Sequence, residues 1–414
     1  MDIFLLRIRF VKLPAIPSYR LESNFVARKT MRMHILSALY GCALFASQAG
    51  AADPGITNTE IRLGMVNAQS GAASGLGKGM RIGAEVVFKE INAHGGIHGR
   101  KINLIVADDA YEPDNAIDAT LKMIEEQKVF ALFGYVGTPT ANAVLPIIKE
   151  TNTPLIGVFS GAMTLRRPVV PDVINVRASY DDESEMLVEY FIKTKQAKRF
   201  AVFYQDDGFG LAVLSGTTKA LKRRNMEIIA KGTFQRGTTA INTGLAAIID
   251  SKPDAVIMVG TYTSLAAFIK NAKAEGLKAS LATVSFVGTD NLVNLVGRDG
   301  DGVVISQVVP FPEDRSLPIA NECATLLEKY APGEQLGFVN FEGCITAKTM
   351  AIAMERAGPA LTRINLIQAF ETIKKLDIGG IQLNLGTEDH QASSAVFLTQ
   401  IVDGHITQIK AETR

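Results

Sequence analysis

Apolar positions along this chain fall into two rhythms. Short runs of strand length, Ile61 to Val66, Ile102 to Ala107, Val129 to Phe133, Leu155 to Val158, Phe200 to Tyr204, Ala255 to Val259 and Val303 to Val308, are rich in β-prone Val, Ile and Phe. Longer segments between them have helical period. In Gly79 to His94, Ile82, Val86 and Ile91 fall near one face and Gly95-Gly96 ends the helix. Asp114 to Glu126 and Asp181 to Lys195 repeat the scheme. This alternation predicts an α/β protein with parallel sheets flanked by helices. After the basic link Lys198-Arg199 a second apolar series begins at Phe200, which predicts two Rossmann-like lobes, the first over 53–176 and the second over 177–304. Periodicity alone does not place the αβ portion that follows.

Five loops close these runs at their carboxyl ends: Asn67 to Gly71, Gly134 to Thr140, Phe159 to Gly161, Gln205 to Gly210 and Gly260 to Ser264. In open α/β sheets ligands sit outside that end of the strands, where a following helix N-terminus offers free amides to an anionic group. Their lining of hydroxyls, small residues and a few aromatics suits burial of a small polar molecule. VFALFGYVGTPT, Val129 to Thr140, is the most informative: a strand stops abruptly and Thr138 and Thr140 bring hydroxyls to the junction. Catalysis is not indicated. Ser160 in GVFSGAM has no nucleophile elbow around it and no histidine lies in any of the five loops. Gly75-Leu76-Gly77-Lys78-Gly79 lacks the dinucleotide spacing, Asp108-Asp109 reads as a turn leading to a helix near Asp114, and His94, His98, His390 and His405 fit no zinc spacing. No metal or cofactor is implied.

The start of the chain changes the electrostatic picture. Met31-Arg32-Met33-His34, an apolar stretch Ile35 to Ala46 and small residues to Ala52 read as a signal peptide over 31–52, with 1–30 an upstream extension. Of 43 basic and 42 acidic residues, 7 and 2 precede Asp53, so the remainder carries 36 basic against 40 acidic, near −4. That balance does not suit a nucleic-acid partner. Cys323 and Cys344 are the only cysteines beyond the leader, and an oxidising periplasm would permit a bond that their separation alone does not demonstrate.

The stretch IRLGMVNAQSGAASGLGKGMRIGAEVVFKEINAHGGIHGRKINLIVADDAYEPDNA, followed by FGYVGTPT, PLIGVFSGA, VRASYDDE, VFYQDDGFG and VGTYTS, resembles the branched-chain amino-acid-binding family of bacterial ABC-transporter receptors, from about Ile61 to Ile409. The resemblance implies a type I periplasmic binding fold with three interlobe crossovers, closure on a ligand, and a membrane ABC permease as partner. It returns 305–385 to the first lobe and 386–414 to the second, with hinges near Val176, Ile305 and Leu385. It assigns ligand contacts to Gly137 and Thr138, which hold a carboxylate, to Phe159, Ser160 and Gly161, to Phe209 and Tyr262 on the second lobe, and to Leu76 and Phe338 at the side-chain pocket. One departure stands out. Amino-acid binders of this family place a Glu for the ligand ammonium in the region matching Thr283 to Ser285, which here reads TVS; either Asp206, Asp207 or Asp290 replaces it, or the ligand is not an α-amino acid. The expected function is a periplasmic, non-enzymatic receptor for a small amino acid or other small carboxylate or amide. A sensory module with a signalling partner, and an extracytoplasmic hydrolase using Ser160 or Asp206, are the rival readings.

Overall fold

The computed structural model describes residues 53–410; the expected extension 1–30, the signal peptide 31–52 and the last four residues lie outside them. The first lobe begins β1 (Glu60–Asn67), α1 (Ser74–Ala93), β2 (Lys101–Asp108), α2 (Pro113–Glu125), β3 (Ala131–Phe133), α3 (Thr138–Thr151), β4 (Leu155–Ile156) and β5 (Val173–Ile174). Its strands pair in the order β2-β1-β3-β4-β5, all parallel, with Ile61 opposite Ile102 and Leu63 opposite Ala131.

The chain then crosses into α4 (Tyr180–Lys195), β6 (Phe200–Gln205), α5 (Gly208–Lys222), β7 (Ile228–Phe234), α6 (Asn242–Asp250) and β8 (Ala255–Val259). It continues through α7 (Tyr262–Ala274), β9 (Ser280–Thr283), α8 (Thr289–Val296) and β10 (Val304–Gln307). It returns to the first lobe for α9 (Pro318–Tyr330), α10 (Phe338–Ala357), α11 (Arg363–Glu371) and a hairpin of β11 (Leu376–Asp377) and β12 (Gln382–Leu383). It finishes in the second lobe with β13 (Phe397–Val402) and β14 (His405–Ile409). The second sheet runs β14-β13-β10-β9-β8-β6-β7, with parallel pairing except where β13 meets β10 and β14.

Two crossings fall later than expected. β10 stays in the second sheet to Gln307, because Val304 and Ile305 pair with Ala282 and Thr283 of β9. At the third crossing, Gln391 bridges to Asn175 beside β5 and Ala392 N donates to Asn175 O, so the chain leaves the first lobe after Ala392 rather than at Leu385.

Each lobe buries its sheet under its own helices. The first core joins Ile61, Leu63 and Phe133 to Phe88 of α1 and to Leu327, Phe341 and Met350 of α9 and α10. α1 begins at Ser74, five residues before the apolar period becomes visible at Gly79, because GLGKG offers few apolar side chains and uses its small residues for close approach. Further along, α1 and α10 touch backbone to backbone: a Cβ at Gly83 would lie 1.9 Å from Asn340 O. Cys323 of α9 and Cys344 of α10 are joined by a disulfide with Cα atoms 6.1 Å apart, resolving what the sequence left open.

Candidate functional site

At the carboxyl end of β3 the chain turns through Gly134 to Gly137 and enters α3 at Thr138. Gly137 has φ of 113°, and a Cβ there would meet Tyr111 Cε2 at 2.3 Å, so only glycine fits. No side chain caps this helix start, which leaves first-turn amides for an anionic group. Thr138 Oγ1 and Ser160 Oγ share a hydrogen bond of 2.7 Å although both are buried. Two backbone bonds zip their loops together: Phe159 N donates to Tyr135 O at 2.7 Å and Gly137 N to Phe159 O at 3.2 Å. Gly161 O accepts from Tyr180 N at 2.7 Å, tying the same loop to the start of α4.

Against this anchor stands a group of rings from both lobes. Phe286 lies 5.5 Å from Phe159 and 5.9 Å from Tyr111, centroid to centroid, and 4.5 Å from Phe209, which in turn lies 5.3 Å from Tyr180. All five, with Leu76, are buried in one cluster. Polar contacts also cross between the lobes. Tyr262 Oη accepts from Gly75 N at 3.1 Å, Gln205 Nε2 donates to Tyr111 Oη at 3.3 Å, and Arg236 pairs with Glu112 at 2.7 Å. The lobes are therefore closed on each other. Of the nine residues expected in the site, Gly137, Thr138, Phe159, Ser160, Gly161, Phe209 and Leu76 come together, and Tyr262 borders them. Phe338 does not join: its ring packs on Phe311 in the first core, and only its amide faces the second lobe, donating to Asp290 Oδ2 at 3.1 Å.

The acids expected to take an ammonium are otherwise engaged. Asp207 accepts from Phe209 N, Gly210 N, Gln205 Nε2 and Arg236, Asp290 from the Phe338 amide, and Asp206 is exposed. Ser285, within the TVS segment, gives its amide and hydroxyl to Glu183 at 2.8 and 3.0 Å, and Ser306 adds a third bond at 2.7 Å. Arg177 completes this knot. Its Nη2 reaches Glu183 at 3.3 Å and also donates to Ser285 Oγ, its Nη1 lies 3.5 Å from Glu342, and its guanidinium stacks 4.7 Å over Phe159. Burial pushes the Glu342 carboxyl up to about 7 despite the attraction of Arg177. Burial, and then repulsion from Arg177, brings Arg166 down to about 10. The sequence reading missed Tyr111, Arg177, Tyr180 and Phe286 as members of this site. An arginine set among small and apolar residues in VRASY, directly before a helix start, was the available signal for Arg177.

Asp109, at the end of β2, is fully buried with Oδ1 on the Tyr111 amide at 2.8 Å and Oδ2 unpartnered. Burial pushes its carboxyl up to about 7. Between about pH 4 and 7 the folded protein holds a proton that the unfolded chain has released, so this group makes stability fall as pH rises through that window. The full effect is at most ~4 kcal/mol at 1.36 kcal/mol per unit. Urea denaturation across that range should show wild type losing stability relative to Asp109→Asn as pH increases; parallel profiles would refute the assignment.

Comparison with known proteins agrees with this architecture. The profile of the Periplasmic binding protein family matches residues 60–405. An amino acid binding protein of Pseudomonas aeruginosa is 23% identical over 336 residues, covering 80% of this chain and 86% of its own length. A Leu/Ile/Val-binding protein of Citrobacter freundii is 21% identical over 248 residues, 60% of this chain and 67% of its own. Among solved structures, a possible leucine/isoleucine/valine-binding protein from Rhodopirellula baltica superposes with a TM-score of 0.81 at 34% identity, covering 87% of this chain and 98% of that one. A branched-chain amino acid ABC transporter protein from Thermus thermophilus with bound valine has a TM-score of 0.77 at 18% identity, over 86% and 96% of the two chains, and shares the fold. Two lobes built on parallel sheets, joined by three crossings and closed over a buried anchor, together with a profile match across nearly all of both lobes, make this chain a member of the periplasmic binding protein family, a family of binding proteins and not of enzymes.

Proposed function

We propose that the chain is the extracytoplasmic receptor of an ABC importer, exported by its signal peptide, capturing a small amino acid or other small carboxylate or amide in the cleft and delivering it to a membrane permease. The observation that carries this reading is the buried Thr138–Ser160 hydroxyl pair at the uncapped start of α3, directly opposite rings of the second lobe. Gly137 and Thr138 hold the ligand carboxylate, and Phe159, Ser160, Gly161, Phe209, Tyr262 and Leu76 enclose the rest. The lobes divide at Val176–Arg177, after Gln307 and after Ala392, and the hinges lie there. Closure follows from contacts the ligand makes to both lobes at once. A sensory module with a signalling partner would use the same closure; a permease gene beside this one decides between the two. A hydrolase is not supported, since the Ser160 hydroxyl is held by Thr138 and the Ala162 amide.

Thr138→Val tests the anchor. Losing one hydroxyl bond to a charged group costs about 1.5–3 kcal/mol, so affinity for whichever ligand a thermal-shift screen identifies should fall about 10- to 100-fold. Calorimetry showing unchanged affinity would remove Thr138 from the site.

A further inference from the structure

The polar groups left unspent around the anchor describe the ligand more narrowly. This step rests on the cleft reading above. A ligand ammonium needs a carboxylate with free lone pairs, and Glu183 and Asp207 of the second lobe have none to give, while Asp290 lies against Gly337 and the Phe338 amide. Glu183 is filled by Arg177, Ser285 and Ser306, and Asp207 by two amides, Gln205 and Arg236. Glu342 faces the Arg177 guanidinium. Asp109 keeps one unpartnered oxygen, but it lies at the end of β2 in the first lobe with its other oxygen on the Tyr111 amide.

Donors and acceptors both remain buried without a partner near the rings. Arg177 Nε and the Tyr180 hydroxyl have no hydrogen-bond partner among the described residues, nor does Gln205 Oε1, a neutral acceptor. Arg177 touches Ser285 and stacks on Phe159, and its charge is balanced by the carboxyl groups of Glu183 and Glu342. Apart from these atoms the enclosure is made of five rings and Leu76. An ammonium brought here would lose its water without gaining a carboxylate free to pair with it. A carboxylate on an apolar ring would meet the Thr138–Ser160 pair at one end and ring faces at the other.

We infer that this protein selects carboxylates that carry no ammonium group, with an aromatic body preferred to an aliphatic one. The test uses matched pairs that differ only in the amino group: phenylalanine with 3-phenylpropanoate, and leucine with 4-methylpentanoate. The full-length gene product, exported and purified as the cell processes it, is unfolded in guanidinium and refolded to strip carried-over ligand. It is then titrated calorimetrically with all four compounds. The desamino member should bind at least 10-fold tighter in each pair, and 3-phenylpropanoate tighter than 4-methylpentanoate. Phe286→Ala should weaken the aromatic acid at least 5-fold more than the aliphatic one. An amino acid that binds as tightly as its desamino partner overturns the inference and leaves the receptor reading standing, as does binding of amides or ureas alone. Equal losses in Phe286→Ala overturn the aromatic preference. Failure of every amino acid, carboxylate, amide and urea to shift the melting temperature overturns both readings.

Discussion

Arg177→Met should lower the unfolding free energy by about 3–5 kcal/mol, the cost of removing one partner from a buried charge cluster. The arginine is wholly enclosed, as are Glu183 and all but a trace of Glu342. Without the guanidinium, Glu183 keeps its bonds from Ser285 and Ser306, whereas Glu342 has lost its ion-pair partner, with the attraction of Arg166 the weaker one left to it, and must take up a proton or draw in water. The loss should therefore be larger at pH 8 than at pH 5. Adding Glu342→Gln to Arg177→Met should restore part of the stability, because the orphaned charge is then gone. Urea denaturation of wild type, the single and the double variant checks this; a single variant within about 0.5 kcal/mol of wild type would mean that the cluster contributes specificity but no net stability. Arg177 follows the first crossing between the lobes and contacts groups from both, so the variant should also alter the closed population.

The second large effect concerns the link between α9 and α10. Replacing Cys323 and Cys344 together by alanine should cost about 3 kcal/mol, the chain-entropy value for a loop slightly longer than fifteen residues, with a small addition from the lost packing of two buried sulfurs. At roughly 2.1 cal/mol/K per residue, that corresponds to a drop in Tm of about 4 °C for a chain of this size. Calorimetry of the oxidised and reduced protein should reproduce most of the difference, and thiols that titrate in the unfolded, unreduced protein would show the bond to be absent. The proposed site should be affected little, since the bridge lies within the first core and the Thr138–Ser160 pair at the carboxyl end of β3.

Much of the fold was readable because it depends on local regularities. Continuous Val, Ile and Phe runs became β1, β2, β6 and β8 almost residue for residue, and the period of Asp181 to Lys195 became α4 with Ser179 as its cap. β7 and β14 escaped notice because exposed residues interrupt their apolar positions, and β5 because two residues give no period. The turn GYVGTPT was legible for a similar reason: glycine at a left-handed position and threonine at a helix start are demands of the backbone itself.

The opposite wall of the site was not. Phe286 reads as one more apolar residue after TVS, and Tyr111 as part of a turn; only the closing of one lobe on the other makes them neighbours of Phe159. The acids show the same limit. By sequence, Asp206, Asp207 and Asp290 were equally able to receive an ammonium, and the folded chain spends two of them on amides of distant or neighbouring helices and turns the third to solvent. The sequence by itself determined the alternation of strands and helices, the turn before Thr138 and the family resemblance, because these rest on residues close together in the chain. Tertiary structure alone decided which hydrogen-bonding groups remain unspent at the cleft, because partners such as Arg177, Ser285, Ser306 and Glu342 are brought together across more than a hundred positions by packing of the two lobes.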